Sequence, residues 1–371
     1  MSSSLTVDPT TRDRNAVSHK DSMKSALDIA RESYRTISLY APNRAPAAID
    51  LSDNTNLWGI PPKAAKAIHE ITTSSVTRYP ALYVTDVKRA IASYLNVEPE
   101  MVVTGCGSDD VLDSTIRAFG NPGDVIVHPD PSFAMIPIFA KMNGLTPVAV
   151  PLSASFDLDP DRVLAAEAKM IYLCSPNNPT GAALSRATIE TIVDRATGLV
   201  IIDEAYAEFA DVNCIDLLQR SDRVLITRTF SKAFGLAGLR IGYAIGNPAV
   251  IAEVEKSRGP YKVNAIAERA AVTAMTEDLE WVLDHVQEAK TNRARLADAL
   301  RSIGLTPLPS EANFLLVPVN DAVAIDRALR ERGIAVRPFT ALPGVGDALR
   351  ISVGPWELLE QCVQNLKEVI A

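Results

Sequence analysis

The chain has 371 residues, 47% of them hydrophobic and 22% charged, with a formal net charge of −8. That balance fits a globular protein of one large or two ordinary domains and excludes disorder, collagen and coiled coil as overall descriptions. No surplus of cations exists to neutralise a phosphate backbone or an anionic lipid surface, so neither nucleic acid nor membrane is an expected partner.

Residues 1–35 are polar and Ser/Thr-rich with no apolar stretch, and no apolar run of membrane-spanning length occurs anywhere, so neither an export signal nor a transmembrane helix is expected. From about residue 100, β-branched runs alternate with amphipathic stretches. Strands are expected at Met101–Thr104, Val125–Val127, Pro147–Val150, Met170–Cys174, Leu199–Ile202, Val224–Thr227 and Ile241–Ile245. Helices such as Asp110–Phe119 and Arg186–Ala196 fit the crossovers, which predicts an α/β fold around a mostly parallel sheet of roughly seven strands. After Gly259-Pro260 the pattern becomes one long helical region, Ala265–Ser302. It is followed by strand Phe314–Val317, helix Ala322–Arg332, strands Ala335–Arg337 and Leu349–Val353, and helix Glu357–Ile370. The reading is an arm at 1–50 that contributes to the small domain, a large domain at 51–260, and a smaller α+β domain at 261–371.

Cys106, Cys174, Cys214 and Cys362 lie far apart, as do His19, His69, His128 and His285. Neither zinc-ligand spacing nor a histidine-based triad is present, and the cysteines read as reduced thiols of a cytoplasmic protein with no metal.

Four segments at the ends of expected strands carry chemistry. Ser175-Pro176-Asn177-Asn178-Pro179-Thr180-Gly181 follows Met170–Cys174, where open α/β sheets bind ligands; alone, it reads equally as a tight loop. Leu199–Ile202 runs into Asp203-Glu204-Ala205-Tyr206. A carboxylate there is costly without a cation, and a protonated heterocyclic nitrogen of a cofactor would supply one; the alternative is that Asp203 caps the next turn. In Thr229-Phe230-Ser231-Lys232-Ala233-Phe234, apolar neighbours leave Lys232 poorly hydrated, which favours the neutral amine that a Schiff base needs. Ser231 and Arg240 offer a hydroxyl and a fixed cation of the kind that hold phosphate. Finally, Gly105-Cys106-Gly107-Ser108-Asp109 ends a strand and starts a helix, whose first N–H groups make an anion site or an ordinary capped helix.

Taken in order, S-P-N-N-P-T-G, D-E-A-Y, T-x-S-K-A-F-x-L-A-G-L-R and the late L-R-I-S-V-G resemble the fold-type I pyridoxal-phosphate enzymes, specifically class I/II aminotransferases of the histidinol-phosphate aminotransferase group. The resemblance runs from about Leu51 to the carboxyl terminus, and more loosely from Tyr40. It implies that Lys232 is the catalytic Schiff-base lysine, that Asp203 pairs with the pyridine N–H, and that Asn178 and Tyr206 hydrogen-bond the ring oxygen. By the same resemblance Phe133 stacks on the ring, while Gly107, Ser108, Asp109, Thr229, Ser231 and Arg240 hold the phosphate. Arg78-Tyr79-Pro80 matches a segment whose tyrosine reaches the phosphate of a neighbouring subunit, which implies a homodimer with shared sites. Arg350 corresponds to the arginine that grips a substrate anion and Arg337 to a second one for the distal acid or phosphate. Asn54 and Asn56 match an N-x-N near the substrate, and Tyr40 a tyrosine at the pocket mouth.

Departures from the common pattern, Thr55 within N-x-N, Thr77 before Arg78 and Asn43 after Tyr40-Ala41-Pro42, all fall near the substrate entrance. The implied reaction moves an amino group from histidinol phosphate, or a similar amino acid or amino alcohol phosphate, to a 2-oxo acid such as 2-oxoglutarate. An aromatic amino-acid aminotransferase and a decarboxylase of the threonine-phosphate type are the alternatives.

Overall fold

The seven β-branched runs between Met101 and Ile245 all join one sheet in the computed structural model, which describes residues 29–39 and 45–371. The chain divides into residues 1–39 and 40–371. Among the described residues of the first unit there is one short helix, Glu32–Arg35, with no buried residue.

In the second unit the strands are β1 Ile49–Asp50, β2 Val102–Gly105, β3 Val125–Asp130, β4 Thr146–Pro151, β5 Met170–Cys174, β6 Leu199–Asp203, β7 Val224–Thr229, β8 Gly242–Gly246, β9 Phe314–Pro318, β10 Ile334–Ala335, β11 Arg337–Leu342 and β12 Gly346–Ser352. The large sheet has the order β2-β8-β7-β6-β5-β3-β4. Strands β3 to β7 pair in parallel, and β8 runs antiparallel to both its neighbours. The carboxyl ends of β2, β3, β5, β6 and β7 therefore share one edge of the sheet, and every motif singled out above within residues 105–232 follows one of those ends.

Strict alternation explains how the sheet is buried on both faces. Along β5, Ile171 and Leu173 enter one core while Met170, Tyr172 and Cys174 enter the other; along β6, Val200 and Ile202 oppose Leu199 and Ile201. Helices Ser108–Phe119, Met135–Met142 and Pro248–Arg258 cover the second face through Leu112, Ile116, Phe139 and Val254. The first face carries the larger core, which continues into the helix Ala265–Thr276 and the sheet β11-β12-β9. No described helix is long and apolar enough to cross a membrane.

Two expectations are corrected. The helical region Ala265–Ser302 is two helices, Ala265–Thr276 and Leu279–Ser302, and at the break the carboxylate of Asp278 accepts the Ala64 N–H (2.8 Å) in the first turn of helix Pro62–His69. The strand expected at Ala335–Arg337 is also two. Ile334–Ala335 pairs in parallel with Ile49–Asp50, and a further strand from Arg337 to Leu342 forms a hairpin with β12. Pro338, at the second position of this edge strand, leaves the ladder intact. Its register sets Arg337 directly opposite Arg350.

Gly242 in β8 backs directly onto the turn after β2: a methyl group there would overlap Ser108 N and Gly107 C. Gly242→Ala is expected to destabilise the protein by about 2 kcal/mol, measured by denaturant midpoint. Gly246→Ala, which would come no closer than 3.0 Å to the end of Leu225 and 3.2 Å to the Val224 carbonyl oxygen, should cost well under half as much. Equal midpoints for the two variants would contradict this packing.

Candidate active site

The turn leaving β2 places Gly107 at φ +84° as the N-cap of the helix Ser108–Phe119. Glycine here suits the backbone angle, and a Cβ would push aside the guanidinium of Arg240 that packs against it. Arg240 also lies 3.6 Å from the Asp109 carboxylate. Beside it, Thr229 Oγ1 donates to Ser231 Oγ (3.0 Å) and accepts from the Ser231 N–H (3.1 Å). A helix N-terminus, two hydroxyls and a guanidinium thus converge as an anion cradle.

Next to the cradle, β6 ends in Asp203, opposite Cys174 on β5 and Thr227 on β7. Its oxygens accept from Tyr172 Oη (2.7 Å) and the Ala205 N–H (3.1 Å), both neutral donors. Glu204, the next residue, is buried against Arg228, whose Nη2 donates to Glu204 Oε2 at 2.7 Å. Of these adjacent acids, Asp203 is the one facing the cavity. Burial raises its pKa from the usual 3.8 to about 6.

Lys232 follows β7 in a turn whose flanking Phe230, Ala233, Phe234 and Leu236 are all buried, as the sequence suggested. Its Nζ donates to the Asp53 carbonyl oxygen (3.0 Å) and stands 5.7 Å from the centre of the Tyr206 ring. Tyr206 is buried edge-on against Phe314, accepts from Asn54 Nδ2 (3.1 Å), and has its phenol pushed up to about 12 by burial. From the smaller sheet, Arg350 donates through Nη1 to Asn178 Oδ1 (2.6 Å) and through Nη2 to the Ser52 carbonyl (2.7 Å). Arg337 donates to Asp53 Oδ1 (2.6 Å).

One cavity of about 790 Å³ is lined by Lys232, Asp203, Asn178, Tyr206, Phe133, Ser108, Asp109, Thr229, Ser231, Arg240, Asn54, Arg337 and Arg350, bringing together residues read from segments hundreds of positions apart. Gly107 supports it from beneath Arg240. Two of the sequence candidates lie elsewhere. The Asn56 amide is occupied by backbone, donating to the Ala233 carbonyl (2.9 Å) and accepting from the Trp58 N–H (3.0 Å), so it braces the lysine turn. Tyr79 is 82% exposed and stacks on Tyr261 at 4.8 Å, outside this cavity. Tyr40 lies outside the described residues. The sequence reading missed Tyr172, Ser52 and Asp53. Tyr172 is read as strand core until the β5–β6 register sets it beside Asp203, and Asp53 carries no spacing signal, only its place next to Asn54.

Comparisons with known proteins agree with this geometry. The profile of the family described as Aminotransferase class I and II matches residues 46–366. A histidinol-phosphate aminotransferase from Roseiflexus castenholzii is 41% identical over 335 residues, covering 86% of this chain and 89% of its own. An aromatic amino acid aminotransferase from Rhodococcus jostii is 35% identical, covering 87% and 91%. The crystal structure of histidinol-phosphate aminotransferase from Sinorhizobium meliloti in complex with pyridoxal-5'-phosphate superposes with a TM-score of 0.83 at 25% identity, covering 93% and 98%.

The residues present fit such a group. The cradle suits its phosphate, the buried Asp203 carboxylate suits a ring N–H⁺, and Lys232 supplies the amine that its aldehyde requires. A prediction follows from the raised pKa of Asp203. Between its unfolded value near 4 and its folded value near 6 the native state binds more protons than the unfolded chain, so stability without cofactor falls as pH rises through that window. The penalty above it is on the order of 3 kcal/mol. In thermal melts of cofactor-stripped protein, Asp203→Asn should lose less stability than the wild type between about pH 4 and pH 6, yet hold the cofactor more weakly. Parallel pH curves would contradict the assignment.

Proposed function

Because the chain belongs to the class I and II aminotransferases, pyridoxal-phosphate-dependent enzymes, we propose that it moves the amino group of histidinol phosphate, or of a similar amino acid or amino alcohol phosphate, to 2-oxoglutarate. The observation that carries this reading is the cross-strand pair Arg337 and Arg350 in the cavity that holds Lys232, two guanidiniums for the two ends of a substrate.

Bound pyridoxal phosphate supplies a carbonyl that condenses with amines and a ring that accepts the electron pair left when a Cα–H bond breaks. The chain supplies the rest. Asp203 keeps the proton on the ring nitrogen; Asn178 and Tyr206 offer neutral hydrogen bonds to the ring oxygen; Phe133 covers a face; the cradle of Gly107, Ser108, Asp109, Thr229, Ser231 and Arg240 fixes the phosphate. Lys232 Nζ takes the proton from the substrate's Cα. Arg350, its fork held by Asn178 and the Ser52 carbonyl, orients a substrate carboxylate or phosphate.

We assign residues 51–260 to the part that carries the cofactor and 261–371 to the part that carries the substrate arginines. A homodimer in which Tyr79 serves the neighbouring subunit's phosphate is supported by the exposure of Tyr79 outside its own cavity. We propose the cytoplasm as its compartment, a reading supported by four cysteines that all stand as free thiols. A second reading, aromatic amino-acid transamination, is favoured by the Rhodococcus relative and by Phe133 and Phe339 in the cavity wall.

A spectrophotometric screen decides between them: histidinol phosphate should convert the bound cofactor to its amine form at least tenfold faster than phenylalanine, and the reverse order would establish the second reading. Arg350→Ala should raise the KM of donor and acceptor alike by about a hundredfold, roughly the loss of a bidentate charged contact. An effect on only one of them would contradict a shared anion site.

A further inference from the structure

The segment Ser52-Asp53-Asn54 is pinned by the site itself. Its three successive carbonyls accept from Arg350, from Lys232 and from Asn313 Nδ2 (3.0 Å), and the Asn54 N–H donates to Ser352 Oγ (2.8 Å). With the backbone so fixed, the Asp53 side chain enters the cavity and meets Arg337 at 2.6 Å, both side chains largely buried at 20% and 15% exposure. Arg337 is also the direct cross-strand neighbour of Arg350, an arrangement of like charges that is unfavourable without a counter-ion.

We propose that Asp53 is a built-in competitor for the distal anion of the substrate and sets the enzyme's preference between substrates with charged and uncharged distal ends. Its carboxylate occupies Arg337 in the position a distal carboxylate or phosphate would take. A dianionic substrate therefore has to break the contact between Asp53 and Arg337, whereas a substrate with an uncharged distal end leaves the pair intact. Asp53 thus narrows the advantage of acidic side chains and lets one cavity take both kinds. The inference rests on the assignment of Arg337 to the distal end of the substrate, and not on which amine is the physiological donor.

The test uses the holoenzyme and two ligands that differ only in distal charge, glutarate and its monoamide glutaramate, with affinities measured calorimetrically and without turnover. Asp53→Asn is expected to shift the ratio of affinities about tenfold toward glutarate. Asp53→Ala, which demands no side-chain hydrogen bond, should shift it the same way, and in an Arg337→Ala background the Asp53 substitution should leave the ratio unmoved. A ratio unchanged in both Asp53 variants, a shift toward glutaramate, an equal shift without Arg337, or no glutarate binding with or without Asp53 would each overturn the proposal. An enzyme inert to histidinol phosphate that still shows the shift contradicts only the donor assignment.

Discussion

Asp203 is an ionisable group buried at the end of a central parallel strand, and the hydrogen bonds it accepts come from the neutral donors Tyr172 and the Ala205 amide. Its carboxylate is under-solvated in the absence of a cation, which the rise of its pKa to about 6 expresses directly. Opposite a ring N–H⁺ the same burial becomes an advantage, because the interaction is little screened and the proton is held where electron withdrawal is needed. The anion cradle, Lys232, Asn178 and Tyr206 all take their positions relative to that buried acid, each from the end of a strand of the same sheet.

The second sheet contributes two guanidiniums to the same cavity. Strands β11 and β12 bring Arg337 and Arg350 side by side, and the segment at 52–54 ties both to the lysine turn: the Ser52 carbonyl holds Arg350, the Asp53 carbonyl holds Lys232, and the Asp53 carboxylate holds Arg337. Arg337, Arg350 and Lys232 are thereby coupled through two consecutive residues, so on the proposed reading a ligand that moves either arginine acts on the same short backbone stretch as the lysine.

Much of this was legible in the sequence for a physical reason. Strands buried on both faces write themselves as unbroken apolar runs, and β5 and β6 were read with at most one residue of error because Met170–Cys174 and Leu199–Ile202 are such runs. The site motifs follow directly on those runs, so their place at one edge could be inferred before any pairing was known. Pairing itself is not written locally. Tyr172 looks like any core residue of its strand until register sets it against Asp203; Asp53 is one more acid in a loop until the β11–β12 hairpin delivers Arg337 to it; and Asn56, matched by motif to the substrate side, is held by the Ala233 carbonyl and the Trp58 amide. The hairpin strand Arg337–Leu342 contains Pro338, whose cost to a ladder depends on whether the strand lies at an edge, which only the pairing shows.

The central claim is electrostatic: the Asp203 carboxylate keeps the cofactor's ring nitrogen protonated at neutral pH. Nitrogen-15 magnetic resonance of holoenzyme reconstituted with ring-labelled pyridoxal phosphate reads that proton directly. A pyridinium shift that persists to about pH 8 is the predicted result. A neutral pyridine shift at about pH 7 would contradict the account.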